Sequence, residues 1–134
     1  MKWKLNEPVL GDIIRVKAGS IYHYGIYLSD DEIVQFGAKP QLGLIVPDSS
    51  VRVISTDISN FLLGGFLEVA ELSRKELKKR RSPEDTAIYA KSRLGEAGYD
   101  IFANNCEHFV YECAFGEAKS EQSDKLKNYF QNRI

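Results

Sequence analysis

The chain has 134 residues, 43% of them hydrophobic, and a formal net charge of −1, the make-up of one globular domain with a core of its own. That balance argues against nucleic acid as its main partner. Two cysteines are too few for a disulfide framework, and no run of about 18 apolar residues is present to span a membrane.

The opening Met1–Pro8 lacks the apolar stretch of a secretory signal, so a reducing, cytoplasmic setting is expected. Gly11-Asp12 reads as a turn and Ile13–Val16 as a short strand. After a Gly-Ser break, the aromatic-rich Tyr22–Leu28 reads as a central strand, with Glu32–Phe36 returning as its hairpin partner across Ser29-Asp30-Asp31. Residues 37–50, with Gly37, Pro40, Gly43 and Pro47, read as a loop. Val51–Ile54 is a further strand, Asp57–Leu63 a short helix stopped by Gly64-Gly65, and Phe66–Ala70 another strand.

The basic run 74–81 has two readings, contact with phospholipid headgroups or a solvated face, and the second is favoured. Ser82-Pro83-Glu84-Asp85 is a strong helix start, and that helix should run to about Leu94 or Glu96. In the last 15 residues, Leu126, Tyr129, Phe130 and Ile134 keep helical spacing, so residues 116–134 read as a helical tail on a single domain spanning 1–134. Strands first and helices later, with hairpin signals between the strands, make the chain α+β with an antiparallel sheet packed on helices.

Asn104–Gly116 carries the strongest chemical signal. Phe109, Val110, Cys113 and Ala114 follow Cys106 at steps of 3, 4, 7 and 8, one face of a helix. Asn104 or Asn105 serves as N-cap and Gly116 as the stop. Cys106 therefore falls in the first turn, where the helix dipole and free N–H groups favour thiolate. A cysteine nucleophile needs a base, and only two histidines are present. His108 is two residues on, about 200° round the helix, and reads as structural. His23, on the central strand, is the candidate base.

Gln35 is the candidate orienting residue, and the hairpin register decides its place. A two-residue turn sets it opposite Ile26, on the face away from His23. A three-residue loop sets it opposite Gly25, on the face of His23, with open space at the glycine beside both. The backbone N–H of Cys106 is a candidate oxyanion donor. No zinc or calcium spacing is present and no cofactor is implied.

Gly11–Ile14, His23–Leu28 and Asn105–Val110, in that order over about residues 9–116, resemble the lecithin:retinol acyltransferase (LRAT)-like family, which includes the HRAS-like suppressor phospholipases and acyltransferases. The resemblance implies a permuted papain-like fold in which the base histidine precedes the cysteine. It implies acyl transfer through a thioester, with Cys106 as nucleophile and His23 as base, and an acyl-ester or lipid substrate. The animal members carry a histidine where this chain has Gln35; related cysteine peptidases are described with His, Asn or Gln in the orienting place. The leading reading is a thiol acyltransferase or hydrolase. A non-catalytic module of the same fold and a cell-wall peptidase-like hydrolase are the alternatives; the His-before-Cys order speaks against the last.

Overall fold

Alternating side chains on the central strands divide the interior in two, and that division positions the site. The computed structural model describes residues 1–37, 50–100 and 105–117. Six strands, β1 (Lys2–Lys4), β2 (Ile13–Ala18), β3 (Ile21–Ser29), β4 (Glu32–Phe36), β5 (Val53–Thr56) and β6 (Glu68–Glu71), form one sheet in the order β1-β6-β2-β3-β4-β5. Every neighbouring pair is antiparallel. The helices are α1 (Ile58–Leu62), α2 (Arg74–Lys79), α3 (Pro83–Ser92) and α4 (Cys106–Phe115). The chain is thus α+β with an antiparallel sheet.

Successive strand residues point to opposite faces. On one face Tyr24, Ile26, Val34 and Phe36 pack with Ala90 of α3 and with Cys106, Phe109, Val110 and Cys113 of α4. On the other, Ile14, Val16, Tyr27 and Ile33 pack against Phe61 of α1. Helices therefore cover both faces: α3 and α4 one, α1 the other.

Two elements escaped the sequence reading. β1 is three residues long, with charged Lys2 and Lys4 flanking Trp3, too short to show alternation. α2 has no buried residue, so it carries no apolar period; its signal is the capping box, with Ser73 Oγ accepting from Glu76 N–H and Glu76 accepting from Ser73 N–H. The strand expected at Val51–Ile54 runs instead from Val53 to Thr56.

The basic run also needs correction, because it is not one surface. Arg74–Lys79 is helical and mostly exposed. Arg80 and Arg81 turn inward: Arg80 donates to the Gly11 carbonyl at 2.9 Å, and Arg81 to the carbonyls of Glu112 and Cys113 at 2.6 and 2.8 Å. Arg81 so satisfies the free carbonyls at the end of α4. Most of the expected loop at 37–50 and the expected tail helix, from residue 118 on, lie outside the described residues.

Candidate active site

Asn105 begins α4 in extended conformation, and its side-chain oxygen accepts from the N–H groups of Glu107 and His108, both at 3.0 Å. His108 returns the bond, its Nδ1 accepting from Asn105 N–H at 3.0 Å. The ring closes a capping box and is committed to holding the helix start. Gly116, at φ 80°, ends the helix in the left-handed conformation that glycine adopts freely.

Cys106 is the first helical residue and is 7% exposed. Its Sγ lies 4.0 Å from the Tyr22 carbonyl oxygen, and the Tyr24 N–H is directed at it. Those two groups belong to the two peptide bonds of His23. The nucleophile candidate thus sits against the backbone of β3 at the residue that supplies the base candidate.

The β3–β4 hairpin sets the third residue. Ser29 pairs with Glu32, but Tyr27 pairs with Ile33 and Ile26 with Val34, so a bulge lies at Leu28. The bulge supplies the odd residue of the second register considered from the sequence. Carried on, that register sets Gln35 across from Gly25 and Gly37 across from His23, and all these positions share one face.

The side chains follow. His23 Nε2 donates to Gln35 Oε1. Gln35, 1% exposed, donates through its Nε2 to Thr56 Oγ1 at 2.9 Å. The amide oxygen can only accept, so this chain of bonds assigns the imidazole proton to Nε2 and leaves Nδ1 as an acceptor.

The open space expected at Gly25 is filled. A Cβ there would lie 3.0 Å from the Phe61 ring and 2.9 Å from Ile33, so the glycine admits Phe61. That ring tilts against His23 with centroids 5.4 Å apart. Gly37 serves similarly, since a Cβ would lie 2.6 Å from His23 Cε1. The sequence reading missed Thr56, Phe61 and Gly37 as parts of the site. Gly37 follows from the register once the bulge is known. Thr56 and Phe61 come from the next strand and helix and leave no local signal.

The electrostatics correct a further expectation. Burial pushes the Cys106 thiol up to about 11, with the Glu107 carboxylate adding to the rise; the N–H groups of Tyr24, Glu107 and Cys106 itself pull the other way without prevailing. Burial also holds His23 below the usual imidazole range, opposed by its bond to Gln35. At neutral pH both groups are uncharged, a thiol and an imidazole rather than a thiolate and an imidazolium. Desolvation outweighs the helix start because the first turn of α4 lies in the core.

From the α1 side, His23 is reached through an open groove of about 500 Å³ between β2, the start of β3 and the turn after α1. Among the described residues no group of three or more His, Cys, Asp or Glu side chains is placed to hold a metal ion, and no helix is long and apolar enough to cross a membrane.

Comparison with known proteins gives a consistent result. The family model described as lecithin retinol acyltransferase matches residues 6–119. Lecithin retinol acyltransferase of Homo sapiens is 32% identical over 136 aligned positions, covering 87% of this chain and 58% of that protein. The Bos taurus protein of the same name is 29% identical, covering 92% of this chain and 62% of its own length. Phospholipase A and acyltransferase 4 of Homo sapiens is 26% identical, covering 90% of this chain and 78% of that protein. The chain spans about three fifths of the length of the lecithin retinol acyltransferases it matches.

Proposed function

The chain belongs to the lecithin retinol acyltransferase family, and from that premise we propose that it is a thiol-dependent acyltransferase or phospholipase-type hydrolase acting on lipid acyl esters. Cys106 is the nucleophile, His23 the base and Gln35 the orienting residue, within a permuted papain-like arrangement in which the base precedes the nucleophile along the chain. The observation that carries this reading is the seat of Cys106 Sγ against the two peptide bonds of His23, on a strand whose imidazole is held through Gln35 to Thr56.

The chemistry starts from the neutral pair. As Sγ attacks the ester carbonyl, its proton passes to His23 Nδ1, and the negative charge develops on the carbonyl oxygen near the N–H groups at the start of α4. Collapse of the tetrahedral intermediate breaks the ester C–O bond, and the imidazolium returns the proton to the leaving alcohol. A water or an acceptor hydroxyl or amine then gives its proton to Nδ1 and attacks the thioester. That step releases acid or the new acyl product and restores the thiol. Gln35 keeps Nε2 protonated throughout, so Nδ1 is the nitrogen that works.

A non-catalytic binding module is the second reading, and the observation for it is the buried thiol raised to about 11. Intact-mass measurement after incubation with a panel of acyl esters, phospholipids included, separates the two. The enzyme reading expects an acyl adduct, or ester turnover, that disappears in Cys106→Ala. Ester binding with neither adduct nor turnover selects the module.

A further inference from the structure

We propose that the β2–β3 hairpin tip and the turn between α1 and β6 form one docking surface for a phospholipid bilayer, set around the mouth of the groove that His23 lines. The choice of a bilayer as occupant rests on the lipid-directed activity proposed above.

The surface is built from apolar side chains that the fold holds out. Phe66 is 84% exposed, Leu63 56% and Ile21 54%. Leu63 takes φ 47°, the left-handed region that disfavours every side chain but glycine's lone hydrogen, and it is the non-glycine residue found there among those described. Its N–H is tied to the Ser59 carbonyl at 3.0 Å and the Gly65 N–H to the Leu62 carbonyl at 2.8 Å, so the turn is fixed. Gly65 presses it onto β2: a Cβ there would lie 2.6 Å from Val16 Cγ2. The turn is thus packed directly on β2, and Ile21 and Leu63 both border the groove that reaches His23.

Charge complements the phosphate layer. Residues 13–29 carry Arg15 and Lys17 and no acid, and residues 58–67 carry no charge. Arg15 is paired with Glu68 at 3.1 Å, while Lys17 is exposed at the groove. Three apolar side chains at loop tips are too few for a stable protein interface, which uses roughly 20–30 residues a side. They suit insertion to the depth of a headgroup layer, where aromatic rings and a lysine partition favourably. A substrate ester held in that layer would then face the groove.

The test is co-sedimentation of the full chain with vesicles of phosphatidylcholine and a minor share of phosphatidylserine. The wild-type chain should bind, and Phe66→Ser should weaken partition by about 10-fold, as loss of one buried ring implies. Leu63→Gly should also weaken it, and because glycine accepts the left-handed turn the variant should melt no lower than wild type. Phe66→Ser should acylate Cys106 from a soluble, monomeric ester at the wild-type rate. Binding that depends on Phe66 without any acylation upholds the docking surface and fails the enzyme reading. Absence of wild-type binding overturns the proposal, as does equal binding by both variants. So do loss of binding in Lys75→Glu/Lys78→Glu/Lys79→Glu with none in Phe66→Ser, which transfers the role to α2, and a Phe66-dependent dimer without vesicle binding.

Discussion

Helix α4 carries a cysteine at each end, and the two make a controlled comparison. Cys106 opens the helix at 7% exposure, and Cys113 sits in its last turns at 0%. Burial raises both thiols, to about 11 and about 12. The start of a helix favours a thiolate and its end does not, yet the two values stand close together. In this core, position along the helix is a small correction to desolvation. Neighbours make the larger difference. Cys106 meets the peptide bonds of His23, whereas Cys113 is faced by Arg81, which donates to the carbonyls at the end of α4, and by Arg93, which donates to the Glu112 carboxylate of the same helix. On the proposed reading, Cys106 acts by handing its proton to His23 during attack, not by having lost it beforehand.

The sharpest way to break that comparison is to remove each sulfur in turn. Cys106→Ala should abolish the acyl adduct outright. Cys113→Ala should keep it and cost about 1 kcal/mol of stability through the lost packing. Intact mass and a denaturant titration read the two effects. An adduct surviving in Cys106→Ala, or vanishing in a folded Cys113→Ala, would reverse the assignment.

Removing the proton acceptor is the next test. His23→Ala should slow single-turnover acylation by about 100- to 10,000-fold, the usual range for a positioned base. In the wild type the rate should fall as pH drops below the depressed His23 range, because protonated imidazole accepts nothing. Stability has the same sign. The unfolded imidazole, near 6.5, binds a proton that the buried ring resists, so the folded state weakens as pH falls below that value. Cys106 acts at the other limit: the unfolded thiol ionises near 9.0 while the buried one does not, so stability also declines as pH rises past 9.0. A rate independent of pH from 7 to below the His23 range would remove the imidazole from the reaction.

These tests bear on residues that differed in how visible they were beforehand. Cys106 and His23 stood out as candidates because helix spacing and the scarcity of histidine pointed to them. The strand order of the hairpin and the helix start at Asn105 were legible for the same local reasons. The place of Gln35 was not, because it depends on a single bulged residue at Leu28, and sequence patterns leave such a slip undecided. The thiolate expectation failed for a tertiary reason: a cap and a dipole are local, but the burial that outweighs them comes from strands distant in sequence. α2 was hidden because an exposed, charged helix has no apolar period, although its capping box was written in Ser73 and Glu76.

Gln35 sharpens the comparison by loosening the base without deleting it. Gln35→Ala should leave the fold intact and slow acylation by about 10- to 100-fold, in line with other supporting contacts around reactive groups. Gln35→His should keep or raise the rate. Thr56→Val should give a smaller loss, since it frees one end of the Gln35 amide. The diagnostic readout is the pH profile. Gln35→Ala should move the acidic limb to lower pH, because the hydrogen bond it removes favours the protonated ring. An unchanged rate and limb would leave a Cys106–His23 dyad.

The smallest expected effect is the most direct reading of the two ends of α4. Burial raises the Cys106 thiol less than the Cys113 thiol, so Cys106 holds the larger thiolate fraction at a given neutral pH. Its intrinsic nucleophilicity is lower, since reactivity falls with pKa with a slope of roughly 0.4–0.5. Cys106 should therefore be alkylated by iodoacetamide faster than Cys113, helped further by its greater exposure. Both rates should rise about tenfold per pH unit between pH 7 and 9, because both thiols titrate above that window. Peptide-resolved labelling of the folded chain measures the ratio and the slope together. A plateau in the Cys106 rate below pH 8 would mean a thiolate already formed at neutral pH, and would restore the helix start as the activating device. Equal rates, or a faster Cys113, would mean that the seat against β3 shields the sulfur as fully as the core does, and that resting reactivity carries no information about which cysteine the acyl group finds.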